Sequence, residues 1–127
     1  MAYTVLIVDD SATMRAVIKK SLALTGANIA TCHEACNGKV ALEKLRELSI
    51  NLVLADLNMP EMGGDTLIDQ MYQDERLRDT PVIIISTEGS RTRLDQLKRP
   101  DVVAFLRKPF TPEQFKQVVT AVMEPVQ

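Results

Sequence analysis

The sequence predicts an α/β domain in which a doubly wound sheet of five parallel strands is covered by helices on both faces. Short apolar runs alternate five times with amphipathic stretches whose apolar residues recur at helical spacing. Near-continuous apolar strands separated by helices are typical of a parallel sheet buried on both faces. The length of 127 residues, 46% of them hydrophobic, suits one compact domain over residues 1–127.

The strands are expected at the apolar runs, of which the second is weaker than the others. These runs cover residues 5–8, 29–35, 52–55, 82–85 and 102–106. Helices are expected at the amphipathic stretches between and after them. The first stretch has Met14, Val17, Ile18 and Leu22 as its apolar residues and ends at Gly26, and the second has Val40, Ala41, Leu42, Leu45 and Leu48. The third has Leu67, Ile68 and Met71. The short fourth has Leu94 and Leu97, and the fifth has Phe115, Val118, Val119 and Val122.

Composition and charge argue against several classes of protein. The net charge of −2 gives no basis for nucleic-acid binding. The apolar runs are far shorter than the ~20 residues of a membrane span, and two acids follow the first run where a signal peptide would not carry them. We therefore expect a cytoplasmic protein that binds neither nucleic acid nor membrane. Cys32 and Cys36 fit that compartment as reduced thiols, and a metal site is disfavoured because only His33 is nearby.

Polar side chains follow the strands of the predicted sheet, at the carboxyl ends where ligands bind in such folds. They are Asp9 and Asp10 after the first strand, Asp56 after the third, Ser86 and Thr87 after the fourth, and Lys108 after the fifth. Two like charges ~4 Å apart repel by about 4 kcal/mol at an effective dielectric constant near 20, so three clustered carboxylates either hold a proton or bind a cation. Oxygen ligands without cysteine or suitably spaced histidine favour Mg²⁺ over zinc.

A magnesium site beside an aspartate and a lysine indicates phosphoryl transfer. Aspartate can act as a nucleophile toward phosphorus, and positioning with charge neutralisation supplies most of the catalysis. We predict that Asp56 accepts the phosphate, with Lys108, Mg²⁺ and the Ser86 hydroxyl each contacting one phosphoryl oxygen. Taken singly, the first two acids could cap a helix, and the lysine and serine could be turn residues. Their joint placement favours the site.

Four motifs occur in order over nearly the whole chain, namely "VLIVDDSATMR", "LVLADLNMPEMGG", "PVIIISTEG" and "FLRKPF". Together they resemble the receiver domain of response regulators, most of all the single-domain chemotaxis type, which has a flavodoxin-like (βα)5 fold. The resemblance implies the strand order 2-1-3-4-5 and phosphorylation of Asp56. It also implies that Mg²⁺ is bound by Asp10, Asp56 and the Asn58 backbone carbonyl, with Asp9 assisting through water.

The resemblance further implies a switch in which the Ser86 hydroxyl moves toward the phosphoryl group and the Phe105 ring turns inward. It implies a cis peptide bond between Lys108 and Pro109, which aims the lysine at the acceptor. Asn58 and Glu88 would tune attack by water on the acyl phosphate. Because this polar, acidic pair can orient the attacking water, we expect the phosphorylated state to be short-lived.

The function expected from these residues is that of a phospho-accepting response regulator in a two-component system. A histidine kinase or phosphotransfer protein would donate the phosphoryl group, and the face formed by helix 4, strand 5 and helix 5 would change its binding to a target. Catalysis would be limited to the protein's own phosphorylation and dephosphorylation. A receiver cut from a longer regulator and a phosphorylation-independent binding module are the alternatives.

Two unrelated classes share parts of this pattern. A flavodoxin-type FMN binder needs a first loop that cradles a phosphate, which Asp9 and Asp10 would repel. A Mg²⁺-dependent phosphatase of the haloacid-dehalogenase type also uses an aspartyl nucleophile, but it needs a second acid at the position of Asn58 and usually a cap domain. Both are disfavoured.

Some positions depart from the family pattern. Gly63 stands where an acid is common and is expected to add backbone freedom beside the site. Thr87 replaces a small residue and is expected to narrow access to Asp56. Pro100 disfavours helix at the preceding residue, so the fourth helix should end early.

The segment from Gly89 to Lys108 is basic, with six basic residues against two acids. The basic residues are Arg91, Arg93, Lys98, Arg99, Arg107 and Lys108, and the acids are Asp95 and Asp101. We expect a monomer whose basic surface binds a target protein with an acidic surface. A solvated surface without a partner is the alternative.

Overall fold

Among the residues that the computed structural model describes, 2–89, 91–97 and 100–123, five strands alternate with five helices. The strands are β1 (Tyr3–Val8), β2 (Ile29–Ala35), β3 (Leu52–Ala55), β4 (Val82–Ser86) and β5 (Val102–Arg107). The helices are α1 (Ala12–Leu24), α2 (Gly38–Glu47), α3 (Gly64–Gln73), α4 (Arg91–Gln96) and α5 (Pro112–Met123). Each predicted element is present, with ends that differ by a few residues at most.

The five strands form one parallel sheet in the order β2-β1-β3-β4-β5, which confirms the predicted fold class and strand order. The order reverses at the first strand, so the topological switch point lies between β1 and β3. Val8 and Ala55, the last residues of these two strands, are register partners. The backbone N–H of Asp56 donates to the Val8 carbonyl at 2.9 Å. The residues that follow β1 and β3 therefore meet at one edge of the sheet.

Alternate residues of the central strands enter two separate apolar layers, because side chains alternate across a sheet. Leu6 and Val53 face a layer that also contains buried residues of α2 and α3. Ile7 and Leu54 face the opposite layer, to which α1 and α5 contribute. Both faces of the sheet are thus covered, as the continuous apolar strands predict.

Helix α1 begins at a serine cap and not at the acidic pair. The Ser11 Oγ atom accepts a hydrogen bond from the Met14 backbone N–H at 3.1 Å. This is the usual N-cap arrangement. Asp9 and Asp10 are therefore not required as helix caps, which removes the alternative interpretation of this pair.

The two weakest elements of the sequence pattern have physical explanations in the fold. β2 is an edge strand whose residues are mostly part-exposed, so it carries fewer apolar side chains. α4 has six residues and ends at Gln96, in agreement with the early end expected from Pro100. None of the described helices is long and apolar enough to cross a membrane.

The cysteines lie at the edge of the sheet. Cys32 on β2 is partly buried and Cys36 is exposed, and both are free thiols. Burial raises the pKa of the Cys32 thiol, an effect that Lys19 opposes and Glu34 reinforces. A thiol with a raised pKa is less ionised at neutral pH and hence less reactive.

Candidate functional site

Three aspartates meet at the carboxyl ends of β1 and β3, as the strand register requires. Each of Asp9, Asp10 and Asp56 offers a carboxylate oxygen, and these oxygens lie within 4.8 Å of one another. Asp9 is 1% exposed and Asp56 is 9% exposed, whereas Asp10 lies at the surface. Two of the carboxylates are thus buried, and the cluster is open to solvent on the side of the third.

Lys108 enters this cluster from the end of β5. Its Nζ atom lies 2.6 Å from Oδ2 of Asp9 and 3.2 Å from Oδ2 of Asp56. The backbone N–H of Lys108 donates to the Ser86 carbonyl at 2.9 Å, which continues the pairing of β5 with β4. The peptide bond between Lys108 and Pro109 is cis, as the family resemblance implies.

The carboxylates keep the Lys108 side chain charged. Burial by itself lowers the pKa of Lys108, but the hydrogen bond to Asp9 and the negative charge of Asp56 outweigh this effect. The pKa of Lys108 is therefore raised above its ordinary value of 10.5. At neutral pH the site contains an ammonium group that can neutralise a phosphoryl oxygen.

Asp9 is held by hydrogen bonds to its carboxylate and to its backbone carbonyl. Its Oδ1 atom accepts a hydrogen bond from the Ser11 backbone N–H at 2.9 Å, and its Oδ2 atom accepts one from Lys108. Its carbonyl oxygen accepts a hydrogen bond from the Arg15 guanidinium at 2.7 Å, and Arg15 also pairs with Glu34 at 2.9 Å. Arg15 is a supporting residue that the sequence interpretation missed, although it belongs to the first motif.

Asp56 lies where the backbone of α3 comes very close. A Cβ atom at Gly64 would lie 2.2 Å from the Asp56 carbonyl oxygen, so only glycine fits there. The backbone at Gly63 has a φ of −76°, which any residue can adopt, so its conformation does not itself need a glycine. A Cβ at Gly63 would lie 2.7 Å from the Leu57 carbonyl oxygen, so a larger residue at this position would require the backbone to shift.

Ser86 and Phe105, the predicted switch pair, line the same small cavity. Its volume is about 170 Å³, and Glu88, Leu94 and Arg107 also line it. Ser86 is buried, and its Oγ atom accepts a hydrogen bond from the Glu88 backbone N–H at 3.2 Å. Phe105 is partly buried and packs against the apolar layer on the α2 and α3 side. The Phe105 ring therefore borders open space that Ser86 also lines.

Arg93 on α4 reaches across the entrance of the site. Its Nη1 atom donates to Oδ1 of Asn58 at 3.2 Å and to Oε1 of Glu88 at 3.0 Å. Its Nη2 atom donates to Oδ2 of Asp65 on α3 at 3.4 Å. The sequence interpretation placed Arg93 only on a basic surface, and no motif signals its contact with the two expected lifetime residues.

The basic segment contributes less charge to the surface than its composition suggests. The partly buried Lys108 side chain is paired within the acidic cluster, and Arg93 is paired with Glu88 and Asp65. Arg107 is exposed on β5, and Thr87 is exposed beside Ser86. The side chain of Arg91 and the residues Lys98 and Arg99 lie outside the described part of the chain.

Comparison with known proteins agrees with the family resemblance of the four sequence motifs. The family model for the response regulator receiver domain matches residues 5–120. The chemotaxis protein CheY1 of Helicobacter pylori is 36% identical over 119 residues, covering 93% of this chain and 94% of that protein. The chemotaxis protein CheY of Pseudomonas aeruginosa is 34% identical over 122 residues, covering 96% and 97% respectively.

Solved structures agree with the observed architecture. CheY4 of Vibrio cholerae superposes with a TM-score of 0.84 at 27% identity, covering 96% of this chain and 99% of that one. The CheX-CheY-BeF3-Mg+2 complex from Borrelia burgdorferi contains a chain that matches with a TM-score of 0.85 at 27% identity, covering 98% of this chain and 90% of that one.

Proposed function

Because this chain belongs to the response regulator receiver domain family, we propose that Asp56 is its phosphorylated residue. The domain is homologous to chemotaxis response regulators and is a phospho-accepting regulator of a two-component system. The observation that carries the assignment is the place of Asp56 directly after β3 in the cluster of three aspartates, where its Oδ2 atom lies 3.2 Å from the Lys108 ammonium. Among these three, Asp56 alone follows β3, where the family motif has its acceptor.

The proposed reaction transfers a phosphoryl group from a phosphohistidine to Asp56. A carboxylate oxygen of Asp56 forms a bond to phosphorus while the bond from phosphorus to the imidazole nitrogen breaks, and the imidazole leaves. Lys108 neutralises charge on one phosphoryl oxygen, and the Ser86 hydroxyl donates to another after a short movement. Asp9 holds Lys108 in place during these changes.

The donor set fits a hard divalent cation. The three clustered side chains present only oxygen atoms, and two of them are buried, which is the chemistry that Mg²⁺ prefers. Asp10, Asp56 and the backbone carbonyl of Asn58 would hold the ion, with Asp9 assisting through water. When bound, Mg²⁺ would neutralise charge that develops on the phosphoryl oxygens.

The proposed output is a change of binding at the face formed by α4, β5 and α5. Movement of the Ser86 hydroxyl toward the phosphoryl group would draw the loop after β4 inward and open the cavity to the Phe105 ring. A histidine kinase or phosphotransfer protein would be the donor, and the target would be a protein with an acidic surface. We expect a cytoplasmic monomer over residues 1–127 that catalyses no reaction except its own phosphorylation and dephosphorylation.

Labelling with a small phosphodonor tests the assignment. In the presence of Mg²⁺, acetyl phosphate should add one base-labile phosphate to the wild-type protein. Asp56→Asn and EDTA should each abolish this label. Labelling of Asp56→Asn at the wild-type rate would contradict the assignment, whereas Asp65→Asn, on α3 outside the cluster, should still take the label.

A further inference from the structure

We propose that Arg93 is a positioning residue that prolongs the life of the phosphoryl group on Asp56 by occupying oxygens of Asn58 and Glu88. The inference rests on the proposed role of Asp56. It assigns a regulatory function to an arginine of α4 that donates hydrogen bonds to Asn58, Glu88 and Asp65.

The two residues that Arg93 holds are both tied directly to the site. The backbone N–H of Asn58 donates to Oδ1 of Asp56 at 3.4 Å, and the backbone N–H of Glu88 donates to the Ser86 Oγ atom at 3.2 Å. Each residue stands two positions after a site residue, at the carboxyl edge of the sheet. The family resemblance implies that residues at these two positions tune attack by water on a phosphoryl group at Asp56, and these backbone contacts keep both residues beside the site.

Hydrolysis of an acyl phosphate needs an oriented water molecule. The water oxygen forms a bond to phosphorus, the bond from phosphorus to the Asp56 oxygen breaks, and the aspartate carboxylate leaves while the water loses its proton. Side-chain oxygens nearby can accept a hydrogen bond from the attacking water. Oδ1 of Asn58 and Oε1 of Glu88 are two such acceptors, and a single nitrogen of Arg93 donates to both. The guanidinium fills one acceptor site on each of these oxygens, which leaves fewer sites for the attacking water.

The guanidinium is anchored from a third direction. Its Nη2 atom contacts Asp65 on α3 at 3.4 Å, and the Arg93 side chain is 34% exposed. Three contacts from three different segments restrict the movement of the group more than a single surface ion pair would. Replacing Asp65 should loosen Arg93 without altering either acceptor oxygen, and so it should shorten the phosphoryl lifetime by a smaller factor.

The test compares the decay of the phosphorylated protein after removal of the donor, with Mg²⁺ present throughout. Arg93→Met, which keeps the length of the side chain but cannot donate, should lose phosphate about fivefold faster than the wild type, since a partly exposed ion pair limits access by about that factor. Arg93→Ala should behave in the same way, and Arg93→Lys should fall between Arg93→Met and the wild type. Arg76→Met, at an exposed arginine near Asp74, should decay like the wild type.

A second comparison separates positioning from a general structural effect. In a protein that carries Asn58→Ala and Glu88→Ala, adding Arg93→Met should no longer change the decay rate, because the oxygens through which Arg93 acts are gone. Decay of Arg93→Met at the wild-type rate or slower would overturn the inference, and so would an undiminished acceleration in the triple variant. These outcomes differ from a failure of the proposed function. If Asp56 were not the acceptor, the protein would take no phosphate label, or Asp56→Asn would still be labelled.

Discussion

The ammonium nitrogen of Lys108 lies 2.6 Å from Asp9, closer than its 3.2 Å distance to Asp56. Asp9 in turn is buried and held by the backbone of Ser11. The lysine is therefore positioned mainly by Asp9, and a phosphoryl group on Asp56 would meet a cation that is already in place. This arrangement limits the reorganisation needed during transfer.

Removal of the lysine charge should strengthen magnesium binding and weaken phosphorylation. In Lys108→Ala, the three aspartates lose their internal cation, so we expect Mg²⁺ to bind about tenfold more tightly. Labelling by acetyl phosphate should slow at least tenfold because one phosphoryl oxygen loses its partner. Calorimetric titration with Mg²⁺ measures the first effect, and Lys116→Ala on the exposed side of α5 is the control. Unchanged Mg²⁺ affinity would show that Lys108 does not compete for the carboxylates.

Gly64→Ala should destabilise the protein strongly, since the new Cβ would lie 2.2 Å from the Asp56 carbonyl oxygen. We expect a loss of about 2–4 kcal/mol in the free energy of unfolding, measured with urea. Gly26→Ala is the matched control, because that glycine has a φ of +79° but no atom within 4 Å of the added Cβ. It should cost only about 1 kcal/mol. Equal losses of unfolding free energy in the two variants would mean that the backbone at Asp56 moves easily to make room for the added Cβ atom.

Apolar replacement of the two residues beside the site should lengthen the phosphoryl lifetime. Asn58→Met combined with Glu88→Leu removes the acceptor oxygens that orient water, and we expect decay to slow on the order of tenfold. The rate of phosphate loss after donor removal gives the measurement. Gln117→Met on α5 serves as a polar-to-apolar control away from the site. A rate equal to that of the wild type would mean that neither residue positions the water.

Binding to an acidic target should depend on Arg107 and on salt. Arg107 is exposed on β5 within the proposed output face, so Arg107→Glu should weaken binding of the phosphorylated protein about tenfold through like-charge repulsion. Wild-type binding should also weaken as NaCl rises from low to physiological concentration. Arg76→Glu, outside that face, provides the charge-matched control. If the affinity for the target depended on neither the salt concentration nor Arg107, the basic segment would not be a binding surface for that target.

The aspartate cluster and Lys108 could be anticipated from the sequence because the ends of parallel strands fall at one edge of a sheet. Knowing that Asp9 and Asp56 follow buried strands was enough to place them together. Arg93 could not be anticipated in the same way, because its partners come from two loops and a helix whose approach depends on how α4 is oriented. The close approach of the Leu57 backbone to Gly63 could not be anticipated either, because it depends on how the loop after β3 meets the start of α3.

The most direct test of the central claim identifies which aspartate carries the phosphate. The protein is phosphorylated with acetyl phosphate and Mg²⁺, the acyl phosphate is reduced with borohydride, and the resulting homoserine is located by peptide mass spectrometry. Homoserine at position 56, lost in Asp56→Asn, is the predicted result. Homoserine at position 9 or 10 in the wild-type protein would contradict it.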